Sequence, residues 1–190
     1  MKIQIPPEFL LLLRSPVSQD PSFTADSYFA FISRRLVDDG FKIGQPANAG
    51  KYPLSFVASR DSQEDLGPRR RWVTGTTCNI STPEALSDFS EQATDYAWTN
   101  REHHLLGMWA VYSFALVVAD DFSQELKESI RTTKPRTKGI MIIEFPVLVS
   151  LKESKLYFFE KSLVYGGLTY VELRRWANKM VGFETPPPKP

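Results

Sequence analysis

Three carboxylates near strand boundaries are the side chains of this sequence best suited to chemistry. Asp120-Asp121 closes the longest apolar segment, and Glu144 lies in the next strand-like segment. Carboxylates brought to one point by neighbouring strands can hold magnesium, which takes oxygen ligands and keeps part of its water shell. Their oxygens must then approach within about 4–5 Å, because each metal–oxygen bond is about 2.0–2.6 Å. Asp121 leaves the end of one segment, whereas Glu144 sits inside another beside Pro146. The expectation is that they do not meet and that no metal binds there. The plainer reading has Asp120-Asp121 capping a helix at Phe122 and Glu144 facing solvent.

Other residues carry weaker signals. His103-His104 offers imidazoles that titrate near neutrality, as bases or ligands. Adjacent residues point apart, however, and a third ligand such as Asp95 or Glu102 would have to turn toward them. A helix-terminal histidine interacting with the dipole is the plainer explanation. Arg69-Arg70-Arg71-Trp72 is the one basic run with an aromatic neighbour. Arg70 and Arg71 would meet phosphate while Trp72 stacks on a base. Asp61, Glu64 and Asp65 offset that charge from just upstream, which favours a solvated start of a strand. Thr74-Gly75-Thr76-Thr77 lacks the lysine and the spacing of a phosphate-binding loop. Cys78 would need a histidine beside it to act as a nucleophile, and a small buried side chain on a strand is expected instead. Trp98 lies off the apolar stripe of its helix, so it either packs under a neighbouring segment or marks a contact surface.

The elements that must position these groups are punctuated by proline and glycine. Thr24 or Asp26 opens a helix to Asp39, with Tyr28, Phe31, Ile32 and Leu36 on one face and Gly40 as its stop. Phe41–Gly44, Pro53–Arg60 and Arg69–Ile80 read as strands, with Asp61–Pro68 as a polar loop. Ser81-Thr82-Pro83-Glu84 starts a helix to about Arg101, with Leu86, Phe89, Ala93, Tyr96 and Ala97 in one stripe. Met108–Ala119 is almost wholly apolar, and its β-branched and aromatic content favours a central strand over a buried helix. Phe122, Leu126 and Ile130 mark a helix over Ser123–Thr132. Gly139–Leu151 and Lys155–Lys161 form a hairpin, with Pro146 implying an edge or a bulge. A helix after Gly166-Gly167 carries Tyr170, Leu173, Trp176, Ala177, Met180 and Val181 on its apolar face. Residues 184–190 form a proline-rich tail, expected to be extended and mobile, although it could dock an aromatic groove. The order implies one α+β domain over 1–183, with a mixed or antiparallel sheet of about five to six strands and three to four helices packed on it.

Composition narrows the classes. Of 190 residues 42% are hydrophobic and 13% aromatic, which supplies a large core and excludes a disordered chain. Lys and Arg number 23 against 22 Asp and Glu, so the basic excess of a nucleic-acid binder is missing. One cysteine excludes an intrachain disulfide, and with two histidines it leaves little for structural zinc. The start is too polar for a signal peptide, and the apolar stretch Leu105–Ala119 falls short of the ~20 residues of a membrane-spanning helix. A soluble, cytoplasmic protein without a membrane partner is expected.

The order helix–strand–strand–strand–helix–strand from Thr24 to Ala119 resembles the core of the PD-(D/E)XK nuclease-like fold. That family places an Asp ahead of an acidic-x-Lys triplet on the following strand. Here that strand reads Trp72-Val73-Thr74-Gly75-Thr76-Thr77-Cys78, with no acid, and Glu144-Phe145-Pro146 has proline where lysine belongs. The resemblance implies a metal-dependent phosphodiesterase using Asp120, Asp121 and Glu144. Ahead of it stands a non-catalytic domain working through protein contact, self-association into a homodimer included, that needs no cofactor. A third expectation is a small-ligand pocket lined by Trp109, Tyr112, Tyr157 and Phe159.

Overall fold

The computed structural model of the protein describes residues 23–64, 67–101, 110–138, 142–161 and 167–183. Helix α1 (Ala25–Asp38) begins at Thr24, whose hydroxyl accepts from the Ser27 amide while Ser27 answers the Thr24 amide, a reciprocal cap. It ends at Gly40, whose φ of +86° is open to glycine at little cost. A short strand β1 (Lys42–Ile43) follows, then the small hairpin β2 (Ala47–Ala49) and β3 (Tyr52–Leu54). Strands β4 (Phe56–Glu64) and β5 (Gly67–Thr76) pair antiparallel along their length. The stretch Asp61–Pro68, expected as a loop, therefore belongs mostly to this hairpin. Its polar side chains obscured the strand, because Asp61 faces Arg70 across the ladder and Ser62 faces Arg69.

Helix α2 (Pro83–Thr99) starts as the sequence predicts, with Thr82 as N-cap accepting from the Ala85 amide and proline in the first turn. It leads into β6 (Ala110–Ala119), which is a central strand. Helix α3 (Gln124–Thr132) is capped by Ser123 rather than by Asp120 or Asp121. The two-residue β7 (Thr137–Lys138), β8 (Ile142–Ser150), β9 (Lys155–Tyr157) and helix α4 (Gly167–Val181) complete the order. The main sheet is mixed and seven-stranded, in the order β1-β4-β5-β6-β8-β7, with β9 also on β8. Strands β5, β6 and β8 are parallel, and the others run antiparallel to their neighbours. Four helices and this sheet make an α+β fold among the described residues. None of the helices is long and apolar enough to cross a membrane.

Alternation sorts the side chains to two faces. On one, α1 and α4 bury Tyr28, Ile32, Leu36, Leu173 and Ala177 against Val73, Phe114, Leu116, Phe145 and Val147. The Tyr28 hydroxyl donates to the Val181 carbonyl at 2.6 Å and ties the two helices together. Gly75 lets α1 approach: a Cβ there would come within 2.5 Å of the Phe29 ring, which is stacked on Phe56. On the other face, α2 and α3 cover Trp72, Val111, Ala115, Val117, Ile142 and Leu148.

Pro146 is tolerated for a local reason. Strand β8 pairs with β6 along one edge, while its other edge meets β7 at Ile142–Ile143 and β9 at Leu148–Ser150. The Glu144 amide donates outward, to the Arg136 carbonyl. Two residues on, the missing N–H of Pro146 faces the same way, into the gap between β7 and β9.

Candidate functional site

Glu144 is where the second face departs from an ordinary core. It shares that face with Ile142 and Leu148, and its side chain is 2% exposed, not solvated as expected. In the parallel register it stands beside Ser113 of β6, which in turn stands beside Trp72 of β5. Above them α2 turns Ser90 and Thr94 inward, one helical turn apart in the stripe that holds Leu86, Phe89, Ala93 and Ala97. The Ser90 hydroxyl donates to Glu144 Oε2 at 3.5 Å. Glu144 Oε1, Ser113 Oγ and Thr94 Oγ1 are buried without a hydrogen-bond partner among the described residues. Buried polar atoms are nearly always satisfied, so an unsatisfied group of this kind marks a place where something else belongs.

Beside Glu144 a cavity of about 420 Å³ opens between the first turns of α2 and the C-terminal half of α3. Glu144 and Pro146 form its floor, Leu86, Ser90 and Ile130 its walls, and segment 133–136 its outer lip. Burial pushes the Glu144 carboxyl above the usual glutamate range, against the pull of Lys138 and Arg136. Those two cations are paired with carboxylates of α2, Arg136 with Glu91 at 2.9 Å and Lys138 with Asp95 at 2.7 Å. The resulting carboxyl is desolvated, borders a cavity, and has one oxygen without a partner among the described residues. Such a group can bind a hydrogen-bond donor or exchange a proton.

The remaining candidates are dispersed. Asp121 lies beyond the Ala119–Ser150 pair, six residues of β8 away from Glu144, about 20 Å at the rise of a strand. It accepts from the Phe122 amide and from Lys127, whose ammonium also reaches Glu153. The hydrogen bond from Lys127 holds the Asp121 carboxyl below its ordinary range. Burial alone would lower Lys127, but its two carboxylate partners raise it. Asp120 contributes its carbonyl, which accepts from the Ser150 hydroxyl and the Lys152 amide. This is a structural clasp at the strand ends. No group of three metal-ligating side chains occurs among the described residues.

Arg70 and Arg71 alternate to opposite faces, so they cannot grip one phosphate together. Arg70 is 4% exposed and clasps Asp61 through two hydrogen bonds, while the Arg71 guanidinium lies 5.9 Å from the Trp176 ring. The solvated strand start expected from the sequence is thus largely buried. Arg70 and Trp72 border a smaller hollow of about 200 Å³. Trp72 is set edge-on against Tyr96. Trp98 packs against the α2–α3 core, with the Arg101 guanidinium over its ring. Cys78 stands past the end of β5, half-buried, and not on a strand. His103, His104 and Trp109, together with the tail 184–190, lie outside the described residues. Of the expected pocket, Tyr112 and Phe159 belong to the α1–α4 core and Tyr157 to the α2–α3 core, so the sheet separates them.

Compared with known protein families, with curated proteins and with solved structures, the chain matches none of them. Its site has to be read from its own residues. The sequence carries a signal for it that is no catalytic motif: Ser90 and Thr94 interrupt an apolar helical stripe, and Ser113 interrupts an apolar strand.

Proposed function

We propose that the protein is a small-ligand-binding domain, with its ligand seated between α2 and α3 over Glu144. The observation that carries this reading is Glu144, a buried side chain that lines a cavity and whose Oε1 has no partner among the described residues. A volume of about 420 Å³ falls in the range of small-molecule sites, which combine apolar walls with a few placed polar groups. Leu86, Ile130, Pro135 and Pro146 supply the former, and Ser87, Ser90, Thr133 and Glu144 the latter.

The other readings draw less support. Docking of a protein partner or a second copy calls for exposed apolar surface. Among the described residues only Val37 and Ile43 are large hydrophobics left exposed, too few for the core of a standard interface. The phosphodiesterase reading needs acids that converge, and Asp121 is committed to Lys127.

Ligand-observed NMR with a fragment library tests the proposal. Fragments are expected to bind the native protein and to lose binding in Ser87→Trp, which fills the cavity from α2 while the circular dichroism spectrum stays native. A library that yields no binders, or binders indifferent to Ser87→Trp, overturns it.

A further inference from the structure

We propose that the ligand taken by this pocket carries a primary ammonium group, with Glu144 as its counter-ion. The inference rests on the pocket reading above and adds the chemical class. Of the strand residues that line the cavity among the described residues, Glu144 and Pro146, Glu144 is the ionisable one. Its Oε2 is already engaged by Ser90, and Oε1 is the carboxylate oxygen left without a partner among the described residues. The Ser113 hydroxyl, beside Glu144 in the sheet register, is also without a partner among the described residues, so the polar corner behind the cavity is unsatisfied on the protein side. An ammonium brings three N–H donors to these oxygens and a positive charge that offsets the loss of water around the buried carboxylate.

The rest of the lining fits that choice. Among the described residues Glu84, Asp88, Glu91 and Glu144 line the cavity with Lys134 and Arg136, and Asp88 and Glu91 are paired with Lys51 and Arg136. Arg136 is spent on Glu91, and Lys134 stands exposed at the lip. An anionic ligand would meet the Glu144 carboxylate, while the nearby cations Arg136 and Lys138 are already paired with Glu91 and Asp95. Above the floor, Leu86, Ile130 and Pro146 offer apolar contact suited to a short aliphatic stem.

The test is titration of the protein at pH 7.5 with butylammonium, 1-butanol and butyrate, matched in length and differing in head group, followed by chemical-shift changes in the pocket. Butylammonium is expected to bind about tenfold or more tighter than either companion, the size of a charge-assisted hydrogen bond. Glu144→Gln, nearly isosteric, should abolish that preference, and Glu144→Asp, which keeps the charge but shortens its reach, should retain part of it. The inference is overturned if butanol or butyrate matches butylammonium, if Glu144→Gln keeps the preference, or if butylammonium does not bind up to saturating concentration. In each case fragments that still bind and are still displaced by Ser87→Trp leave the pocket reading standing. Loss of those as well removes both.

Discussion

The two faces of the central sheet are built from different materials. Toward α1 and α4 the strands present Val73, Phe114, Leu116, Phe145, Val147 and Val149, and the interior is mostly apolar and rich in rings, with Arg69 buried over the Tyr112 ring. Toward α2 and α3 the same strands present Arg70, Thr74, Thr76, Ser113, Glu144 and Ser150, all buried, beneath Ser90, Thr94 and Lys127 of the helices. A sheet face gains its stability by burying apolar area, and each buried hydroxyl or charge lowers that gain unless its hydrogen bonds are made. Part of the second face is well satisfied. Arg70 is held by Asp61, Lys127 by Asp121 and Glu153, and Thr76 by the Pro53 carbonyl. The part around Glu144 is not. One face thus supplies stability, and the other gives some of it up at a single place that opens to a cavity.

The strongest way to break this contrast is to damage the apolar face. Phe145 is fully buried between Phe114 and Phe158, with ring centroids 5.5 and 5.8 Å away. Phe145→Ala should cost about 3–5 kcal/mol in urea denaturation, through lost transfer energy and the cavity left behind. A loss below that of the polar substitutions that follow would mean that the first face is not the main source of stability.

The next effect belongs to the satisfied part of the polar face. Asp61→Ala removes the bidentate partner of a guanidinium that is 4% exposed. A loss of about 1.5–3 kcal/mol is expected, the scale of hydrogen bonds to a charged group.

At Glu144 the sign reverses. Burial raises its carboxyl, so its favourable contribution is complete only below the ordinary glutamate value of about 4.3 and is lost as pH rises through the raised folded value. Glu144→Gln, uncharged at every pH, should therefore melt higher than the native protein at pH 7, with the gap closing as pH falls toward 4. A variant that melts lower at pH 7 would show that the carboxylate is stabilising, contrary to the comparison. The smallest effect is expected from Ser113→Ala. Its hydroxyl makes no hydrogen bond among the described residues, so its removal should leave stability within about 0.5 kcal/mol of native. A larger loss would reveal a partner for that hydroxyl.

The elements were legible where local chemistry repeats. Thr24 and Thr82 cap helices, Gly40 ends one, and Met108–Ala119 yields the central strand β6, trimmed to Ala110 at its described start. The hairpin of β8 and β9 follows from two apolar runs and a short charged loop. Where side chains and backbone gave conflicting signals, sequence reading failed. Asp61 and Ser62 look like loop residues until a second strand brings Arg70 and Arg69 opposite them. The site was less legible. Glu144 and its separation from Asp121 could be anticipated from position, but its burial could not, since a lone glutamate between apolar neighbours reads as the solvent side of a strand.

By itself the sequence determined the fold class, the starts of the capped helices and the apolar face of each helix, because capping and periodicity act over a few neighbouring residues. Only tertiary structure decided that Ser90, Ser113 and Glu144, distant in the chain, share one buried corner. That outcome depends on which strands become neighbours and which face each helix covers. Register across parallel strands is set by packing over the whole sheet, and no local pattern encodes it.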